Sequence, residues 1–185
     1  QNEYTITQEN AIGEIEGLVA TEMDQYSRLL IDEFELVATP YQYEDEEYGL
    51  IGLTYAHYAP DTESAPLLVW LHGGGEGGSD PSIPLAANRA AAFASEEMRA
   101  FFGGAYILVP QAPTFWQDTG FPGDSLNGID SIYTRALQNL VESYVAENPG
   151  IDTDRIYMGG LSNGGFQTVR LLLDYPDYYA AAIAV

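Results

Sequence analysis

The sequence predicts an α/β fold in which a mostly parallel sheet is covered on both faces by helices. Two observations predict it. Short apolar runs alternate along the chain with amphipathic stretches, an order typical of strand–helix–strand units. The apolar runs are continuous, as expected of parallel strands that are buried on both faces. The 185 residues are enough for one domain of this class with a sizeable core.

The domain is predicted to occupy residues 34–185 and to begin with two antiparallel strands. These strands cover residues 34–42 and 50–58, and an acidic turn over residues 43–49 joins them. The turn is either solvated or a calcium site, and it lacks the alternating ligands and central glycine of an EF-hand loop, which favours a solvated hairpin. We interpret residues 1–33 as a linker or the remnant of a preceding module.

The remaining elements alternate as this fold class requires. Apolar runs predict buried strands, and amphipathic stretches that end at glycine or proline predict helices. The predicted strands cover residues 67–71, 105–109, 154–158 and the run from 180 onwards, and the predicted helices cover residues 86–102, 128–147 and 166–174. The helix over 128–147 has the clearest apolar face.

A serine lies at a predicted strand-to-helix turn. Gly160-Leu161-Ser162-Asn163-Gly164 has the G-x-S-x-G form of a nucleophile elbow, although so short a pattern also arises by chance. In such a turn the serine backbone is strained, and strand and helix pass so close that side chains two residues either way would clash. We therefore predict Ser162 as a catalytic nucleophile.

A glycine-rich segment follows the predicted strand 67–71. It begins at His72 and continues through residues 73–78. Glycines let backbone N–H groups point into a cleft, so the amide of Gly73 or Gly74 would form an oxyanion hole with the amide of Asn163. His72 is interpreted as a structural residue of this turn.

The same glycines permit a nucleotide-binding interpretation. Gly73, Gly75 and Gly78 satisfy G-x-G-x-x-G, but that fingerprint requires a helix that opens at the last glycine, whereas residues 79–84 are turn-rich. A P-loop requires Gly-Lys-Ser/Thr, and the sequence contains no lysine. We expect neither a nucleotide, a metal ion nor an organic cofactor.

A second loop follows the predicted strand 105–109 and carries Phe115 and Trp116. It leaves the same end of the sheet as the glycine-rich segment, where ligands bind in open α/β sheets. The two aromatic side chains either line a substrate pocket or cover the core, and the sequence leaves both interpretations open.

Together these motifs resemble the α/β-hydrolase superfamily, and within it bacterial esterases and feruloyl-esterase-like or prolyl-oligopeptidase-like serine hydrolases. Segments 71–76, 110–113 and 152–165 carry the resemblance. It implies the N-terminal part of an α/β-hydrolase fold and the cleavage of small or polysaccharide-linked carboxylic esters through an acyl-enzyme on Ser162. A serine peptidase of prolyl-oligopeptidase type and a non-catalytic binding module are the alternatives.

The resemblance also implies a catalytic acid and a histidine after the serine. The sequence has two histidines, His57 and His72, and both precede Ser162. Asp174 and Asp177 follow it, but they fall at a predicted helix end and in a turn, and neither is assigned as the acid. We expect the chain to stop before its triad is complete, to be inactive alone, and to be completed by a C-terminal continuation or a second chain.

Composition excludes several classes of partner. The formal net charge is −22, which disfavours nucleic acids and anionic membranes because both carry negative charge. No apolar run reaches the length of a membrane span. The absence of cysteine excludes a thiol nucleophile and cysteine-ligated metals. Strong negative charge favours solubility, and we expect an extracellular protein.

Overall fold

The computed structural model describes residues 30–121 and 131–185. In them one sheet has six strands in the order β1-β2-β4-β3-β5-β6. The strands are β1 (Glu35–Asp45), β2 (Gly49–Tyr58), β3 (Ala65–Leu71), β4 (Tyr106–Gln111), β5 (Ile151–Gly160) and β6 (Ala181–Ala184). The predicted N-terminal segment lies outside the described residues except for residues 30–33.

The sheet is antiparallel at one side and parallel across the rest. β1 pairs with β2 and β2 pairs with β4 in antiparallel register, whereas β4, β3, β5 and β6 run parallel. All six residues of β4 are buried, as expected of a strand that is covered on both faces. The predicted mostly parallel sheet and its antiparallel opening hairpin are confirmed.

Helices lie on both faces of the sheet. They are α1 (Ser82–Ala86), a 3₁₀ helix (Ala87–Ala94), α2 (Glu96–Phe102), α3 (Thr134–Glu147) and α4 (Asn163–Asp174). Core residues of α3 and α4 form one cluster with Leu108 of the sheet, and α1 and the 3₁₀ helix form another with Ile107 and Val109. Neighbouring residues of β4 therefore serve opposite faces, because successive side chains of a strand alternate.

The prediction of one helix over residues 86–102 is wrong. Ser95 has extended backbone dihedrals and its hydroxyl accepts a hydrogen bond from the Met98 amide, so it ends one helix and caps the next. The turn-rich interpretation of residues 79–84 is also wrong in part, because α1 begins at Ser82. The Asp80 carboxylate accepts the Ser82 amide at 3.0 Å, and Pro84 is tolerated since it lies in the first helical turn.

The acidic hairpin turn differs from the solvated one that the sequence predicts. Asp45 is 3% exposed, and its carboxylate accepts two hydrogen bonds from Arg135 of α3, at 2.6 and 2.7 Å. It also accepts the Glu47 and Tyr48 amides. Glu46 and Glu47 remain exposed. In residues 30–121 and 131–185 no group of acidic or histidine side chains is arranged to hold a metal ion.

This ion pair gives a prediction about acid stability. The Arg135 guanidinium is the main reason that the pKa of Asp45 is lowered from 3.8 to about 2. The folded state therefore binds this proton less readily than the unfolded state, so the contribution of Asp45 is present above about pH 4 and is lost as the pH falls through about 2. Asp45→Asn is expected to lower the free energy of unfolding by about 2 kcal/mol at neutral pH.

The measurement is urea unfolding across this pH range. Because Arg135 is half exposed and solvent screens it, the loss should be smaller than for a fully buried pair. Glu46→Gln, which removes an exposed neighbouring carboxylate, is the matched control and should change little. A difference between wild type and Asp45→Asn that persists undiminished at pH 2 would contradict this account.

The described part of the chain contains no helix that combines the length and the apolar character needed to span a membrane.

Candidate active site

Three loops meet at the edge of the sheet where the parallel strands end. We call them the glycine loop (residues 72–78, after β3), the aromatic loop (residues 112–118, after β4) and the elbow (residues 161–162, between β5 and α4). The carboxyl ends of parallel strands share one edge, which brings the loops together. The last residues of β3 and β5, Leu71 and Gly160, are paired in the sheet, so the glycine loop and the elbow start side by side.

Ser162 is exposed and has φ 53° and ψ −111°, a conformation that non-glycine residues rarely adopt. Such a backbone costs of order 1–3 kcal/mol and persists only where the surroundings hold it. Here the Ser162 amide donates to the Val185 carbonyl at 2.6 Å, and the Leu161 amide donates to the Leu71 carbonyl at 3.2 Å. Since α4 begins at the next residue, the serine lies at the positive end of a 12-residue helix.

The elbow glycines are required by close backbone approach. A Cβ atom on Gly160 would lie 2.5 Å from the Gly164 carbonyl oxygen. A Cβ atom on Gly164 would lie 2.6 Å from the His72 carbonyl oxygen and would also strike the Leu71 carbonyl oxygen. The predicted clash two residues on either side of the serine is therefore confirmed, and it extends to the start of the glycine loop.

The backbone amides of Gly74 and Asn163 have no hydrogen-bond partner among the described residues. They belong to neighbouring segments, because a Cβ atom on Gly74 would lie 3.7 Å from the Asn163 Cβ atom. The Gly73 amide, in contrast, donates to the Glu76 carboxylate at 3.2 Å. Free amides that adjoin a serine at a helix N-terminus can stabilise negative charge on a substrate oxygen.

His72 is fully buried and both of its ring nitrogens are engaged. Nδ1 lies 2.7 Å from the Gly73 carbonyl oxygen, which can only accept, so Nδ1 carries the proton. Nε2 then accepts the Ala112 amide at 3.1 Å. The ring thus ties the glycine loop to the aromatic loop, and the prediction of a structural role is confirmed. It leaves no nitrogen that could take a proton from Ser162.

This burial gives a second pH prediction. Burial lowers the pKa of His72 below its usual 6.5, because removal from water penalises the charged imidazolium more than the neutral ring. A lowered folded-state pKa means that the stability is fully present above about pH 6.5 and is lost as the pH falls below it. The free energy of unfolding is expected to decline as the pH falls below about 6.5, and His72→Asn should flatten that decline.

Urea unfolding at several pH values measures this slope. His57→Asn is the control, since His57 is the other histidine and is only partly buried. It should flatten the slope less than His72→Asn does. An equal pH dependence in wild type and His72→Asn would show that the buried ring does not titrate with unfolding.

His57 and the two late aspartates lie away from the serine. His57 is on β2, which β4 and β3 separate from β5, and its Nδ1 lies 3.2 Å from the Tyr144 hydroxyl. Asp174 pairs with Arg170 at the far end of α4, about 18 Å from the elbow at 1.5 Å per residue. Asp177 is exposed in the turn after α4. None of these residues can form a triad with Ser162.

The structure decides between the two interpretations of Trp116. Its side chain is fully buried and its ring packs on His72 with a centroid distance of 4.9 Å, so the prediction that Trp116 lines a substrate pocket is wrong. Its backbone amide donates to the Asn163 side-chain oxygen at 2.6 Å, which ties the aromatic loop to the elbow. Phe115 is half-buried, and its role in a pocket stays a prediction.

An apolar cavity of about 290 Å³ lies elsewhere, between the sheet and the segments 87–94 and 96–102. Trp70, Phe93 and Phe102 are among its lining residues. None of the lining residues belongs to the three loops at the sheet edge, so this cavity is separate from the candidate site.

Part of the chain matches a protein-family model. Residues 136–185, which run from α3 through the elbow to β6, match the prolyl oligopeptidase family. No curated protein sequence gives a significant match.

Solved structures are similar over most of the chain. A thermostable esterase is 29% identical with a TM-score of 0.69, and the match covers 84% of this chain and 41% of the esterase. The acylaminoacyl peptidase of Pyrococcus horikoshii is 22% identical with a TM-score of 0.50 and coverages of 86% and 24%. Acetyl xylan esterase from Aspergillus awamori is 18% identical with a TM-score of 0.51 and coverages of 77% and 49%. The last two likenesses show the fold alone, and the chain spans less than half the length of each of the three.

Proposed function

Because the chain belongs to the α/β-hydrolase superfamily, we propose that it forms the nucleophile-bearing part of a serine hydrolase that cleaves carboxylic esters. One observation carries the proposal. Ser162 is held exposed in a strained conformation between a buried strand and a helix N-terminus, and next to it lie the amides of Gly74 and Asn163, which have no partner among residues 30–121 and 131–185. Strain of this kind is maintained where a function requires the geometry.

The proposed reaction is acyl transfer through Ser162. A base removes the hydroxyl proton as the oxygen attacks the ester carbonyl, and the resulting oxyanion is bound by backbone amides of the elbow and the glycine loop. Collapse of this intermediate breaks the ester bond, and the base returns the proton to the departing alcohol. Water then hydrolyses the acyl-enzyme by the same steps, so the serine and the base are both regenerated.

The base is proposed to come from outside these 185 residues. A histidine that is oriented by a carboxylate is the usual partner of a serine nucleophile. His72 has both nitrogens in backbone hydrogen bonds, and His57 lies three strands from β5, so neither of the two histidines in the sequence is available. The complete protein would supply the histidine and the acid from a continuation of the chain or from a second chain.

Esters are the preferred substrate class, and peptides are the second candidate. The solved structure that is 29% identical with a TM-score of 0.69 is an esterase, whereas the family model that matches residues 136–185 is that of a peptidase family. The acetyl xylan esterase shares the fold, and acylated plant polysaccharide is proposed as one substrate of the complete protein, for which an extracellular location is also proposed.

A substrate panel tests the proposal on the complete protein that contains this sequence. It comprises a p-nitrophenyl ester, a feruloyl ester, acetylated xylan and an acyl-peptide p-nitroanilide, each assayed with wild type and Ser162→Ala. Ester hydrolysis that Ser162→Ala abolishes, without measurable anilide cleavage, is the expected result. Anilide cleavage of comparable efficiency would establish the peptidase instead. Turnover of no substrate above the Ser162→Ala background would show a non-catalytic protein and overturn both.

A further inference from the structure

The carboxylate of Glu76 folds back onto the loop that carries it. Its Oε2 accepts the Gly73 amide at 3.2 Å, and the Glu76 backbone amide donates to the Gly73 carbonyl oxygen at 3.3 Å. A Cβ atom on Gly73 would lie 3.3 Å from Oε1, so the carboxylate covers the amide closely. A carboxylate is a strong acceptor, and such charge-assisted hydrogen bonds are stronger than those between neutral groups.

The backbone around Glu76 is held from the neighbouring strand. Its carbonyl oxygen accepts the Gln111 side-chain amide at 2.9 Å, and the oxygen of that Gln111 side chain accepts the Thr54 hydroxyl at 2.9 Å. The Gly78 amide donates to the Ala112 carbonyl oxygen at 2.9 Å. Because the loop is held at residues 76 and 78 and at its beginning by the hydrogen bond between His72 and the Ala112 amide, the hydrogen bond to Gly73 sets the direction of the intervening peptide units.

We propose that Glu76 is a positioning residue that takes the Gly73 amide out of the site and leaves the Gly74 amide, with that of Asn163, as the oxyanion donors. This inference rests on the proposed function of Ser162. It resolves the choice between Gly73 and Gly74 that the sequence leaves open. The Gly74 and Asn163 amides have no partner among the described residues, and these two residues lie in neighbouring positions, since a Cβ atom on Gly74 would lie 3.7 Å from the Asn163 Cβ atom.

The proposed role of Glu76 requires an acceptor oxygen for the Gly73 amide, and the negative charge strengthens that hydrogen bond without being essential to it. A negative charge this close to a developing oxyanion is unfavourable, whereas the amide oxygen of glutamine accepts the same hydrogen bond without charge. Methionine has a similar length and lacks a strong acceptor. Glu76→Gln and Glu76→Met therefore separate the hydrogen bond from the shape of the side chain.

The kinetic test compares these variants of the complete protein on a p-nitrophenyl ester. Glu76→Met is expected to lower kcat by about tenfold to a hundredfold with little change in KM, because a misdirected donor affects the transition state more than substrate binding. The affinity for a trifluoromethyl ketone, which forms a tetrahedral adduct, should fall by a similar factor. Glu76→Gln should recover most of the loss, and Glu63→Ala, which removes an exposed carboxylate at the other end of β3, is the control.

A spectroscopic test can be made on the wild-type protein, so it does not depend on whether a variant folds. Within these 185 residues the only His–Gly step is His72–Gly73, so ¹³C-carbonyl histidine combined with ¹⁵N-glycine restricts the candidate resonances to the Gly73 amide and any His–Gly step elsewhere in the complete protein. On binding of the trifluoromethyl ketone the Gly73 resonance should move little, while another glycine amide moves strongly downfield.

The outcomes are distinct. A strong downfield shift of the Gly73 amide, or an unchanged kcat in Glu76→Met, overturns the inference while wild-type hydrolysis upholds the proposed function. Wild-type protein without Ser162-dependent hydrolysis overturns the proposed function, and this inference with it.

Discussion

Ser162→Ala is expected to lower kcat for a carboxylic ester by about 10⁴-fold or more, to the background rate. The reason is that the acyl-enzyme cannot form without the hydroxyl, and no other nucleophile among the described residues occupies the elbow. The fold should persist, since alanine keeps the Cβ atom and the backbone hydrogen bonds to Ser162 do not involve the hydroxyl. Initial rates on a p-nitrophenyl ester, with the circular dichroism spectrum of each variant, measure both expectations.

Ser79→Ala is the matched control for this loss. Ser79 is exposed directly after the glycine loop. Its removal should leave kcat within about twofold of wild type, as for most exposed substitutions. Residual activity of Ser162→Ala at more than about a hundredth of the wild-type rate would identify a different nucleophile and contradict the assignment.

Gly164→Ala is expected to destabilise the fold by about 3 kcal/mol, and to abolish activity in whatever protein remains folded. The added methyl group would strike the carbonyl oxygens of Leu71 and His72. These are backbone atoms of β3 and of the glycine loop, so they cannot rotate away as a side chain would. The helix would have to move from the sheet, and the strained Ser162 would move with it.

Gly75→Ala provides the comparison within the same region. A Cβ atom on Gly75 would have no heavy atom within 4 Å, and its backbone φ is not positive. The free energy of unfolding should therefore stay within about 0.5 kcal/mol of wild type. Urea unfolding midpoints of the two variants measure the difference. Equal stability of Gly164→Ala and Gly75→Ala would show that helix and sheet do not approach as closely as described.

The sequence predicts the sheet well because its signals are local. Continuous apolar runs mark β3 and β4, and the glycines around Ser162 mark a turn whose steric requirement follows from backbone geometry alone. The sequence predicts the type of helix, α or 3₁₀, less well than it predicts the strands. The alanine-rich stretch before Ser95 has the same apolar spacing in an α-helix and a 3₁₀ helix, so hydrophobic periodicity could not reveal the break between them.

Contacts between distant residues leave no local signal. Asp45 and Arg135 are 90 positions apart, and nothing in an acidic turn indicates which of its carboxylates will be buried. A tryptophan at position 116 is compatible with a pocket lining and with a place in the core, so the residue type alone does not distinguish the two. Its burial follows from the positions of His72 and Tyr133, which only the assembled sheet brings beside it.

The choice of oxyanion donor and the contact of the Asn163 side chain could not be predicted from the sequence either. Oxyanion donors are backbone amides, which have no side-chain signature, so the motif alone could not separate Gly73 from Gly74. The distinguishing contact is the Glu76 carboxylate on the Gly73 amide, which depends on how the loop folds back. The side chain of Asn163 was missed for the same reason, because its position in G-x-S-x-G accepts any residue type.

Labelling with a fluorophosphonate tests the central claim most directly. This reagent phosphonylates activated serines, and the intact mass of the complete protein, followed by peptide mapping, locates any adduct. One adduct per chain on the peptide that contains Ser162, absent from Ser162→Ala, is the predicted result. An unlabelled wild-type protein, or an adduct that remains in Ser162→Ala, would contradict the assignment of Ser162 as the nucleophile of a serine hydrolase.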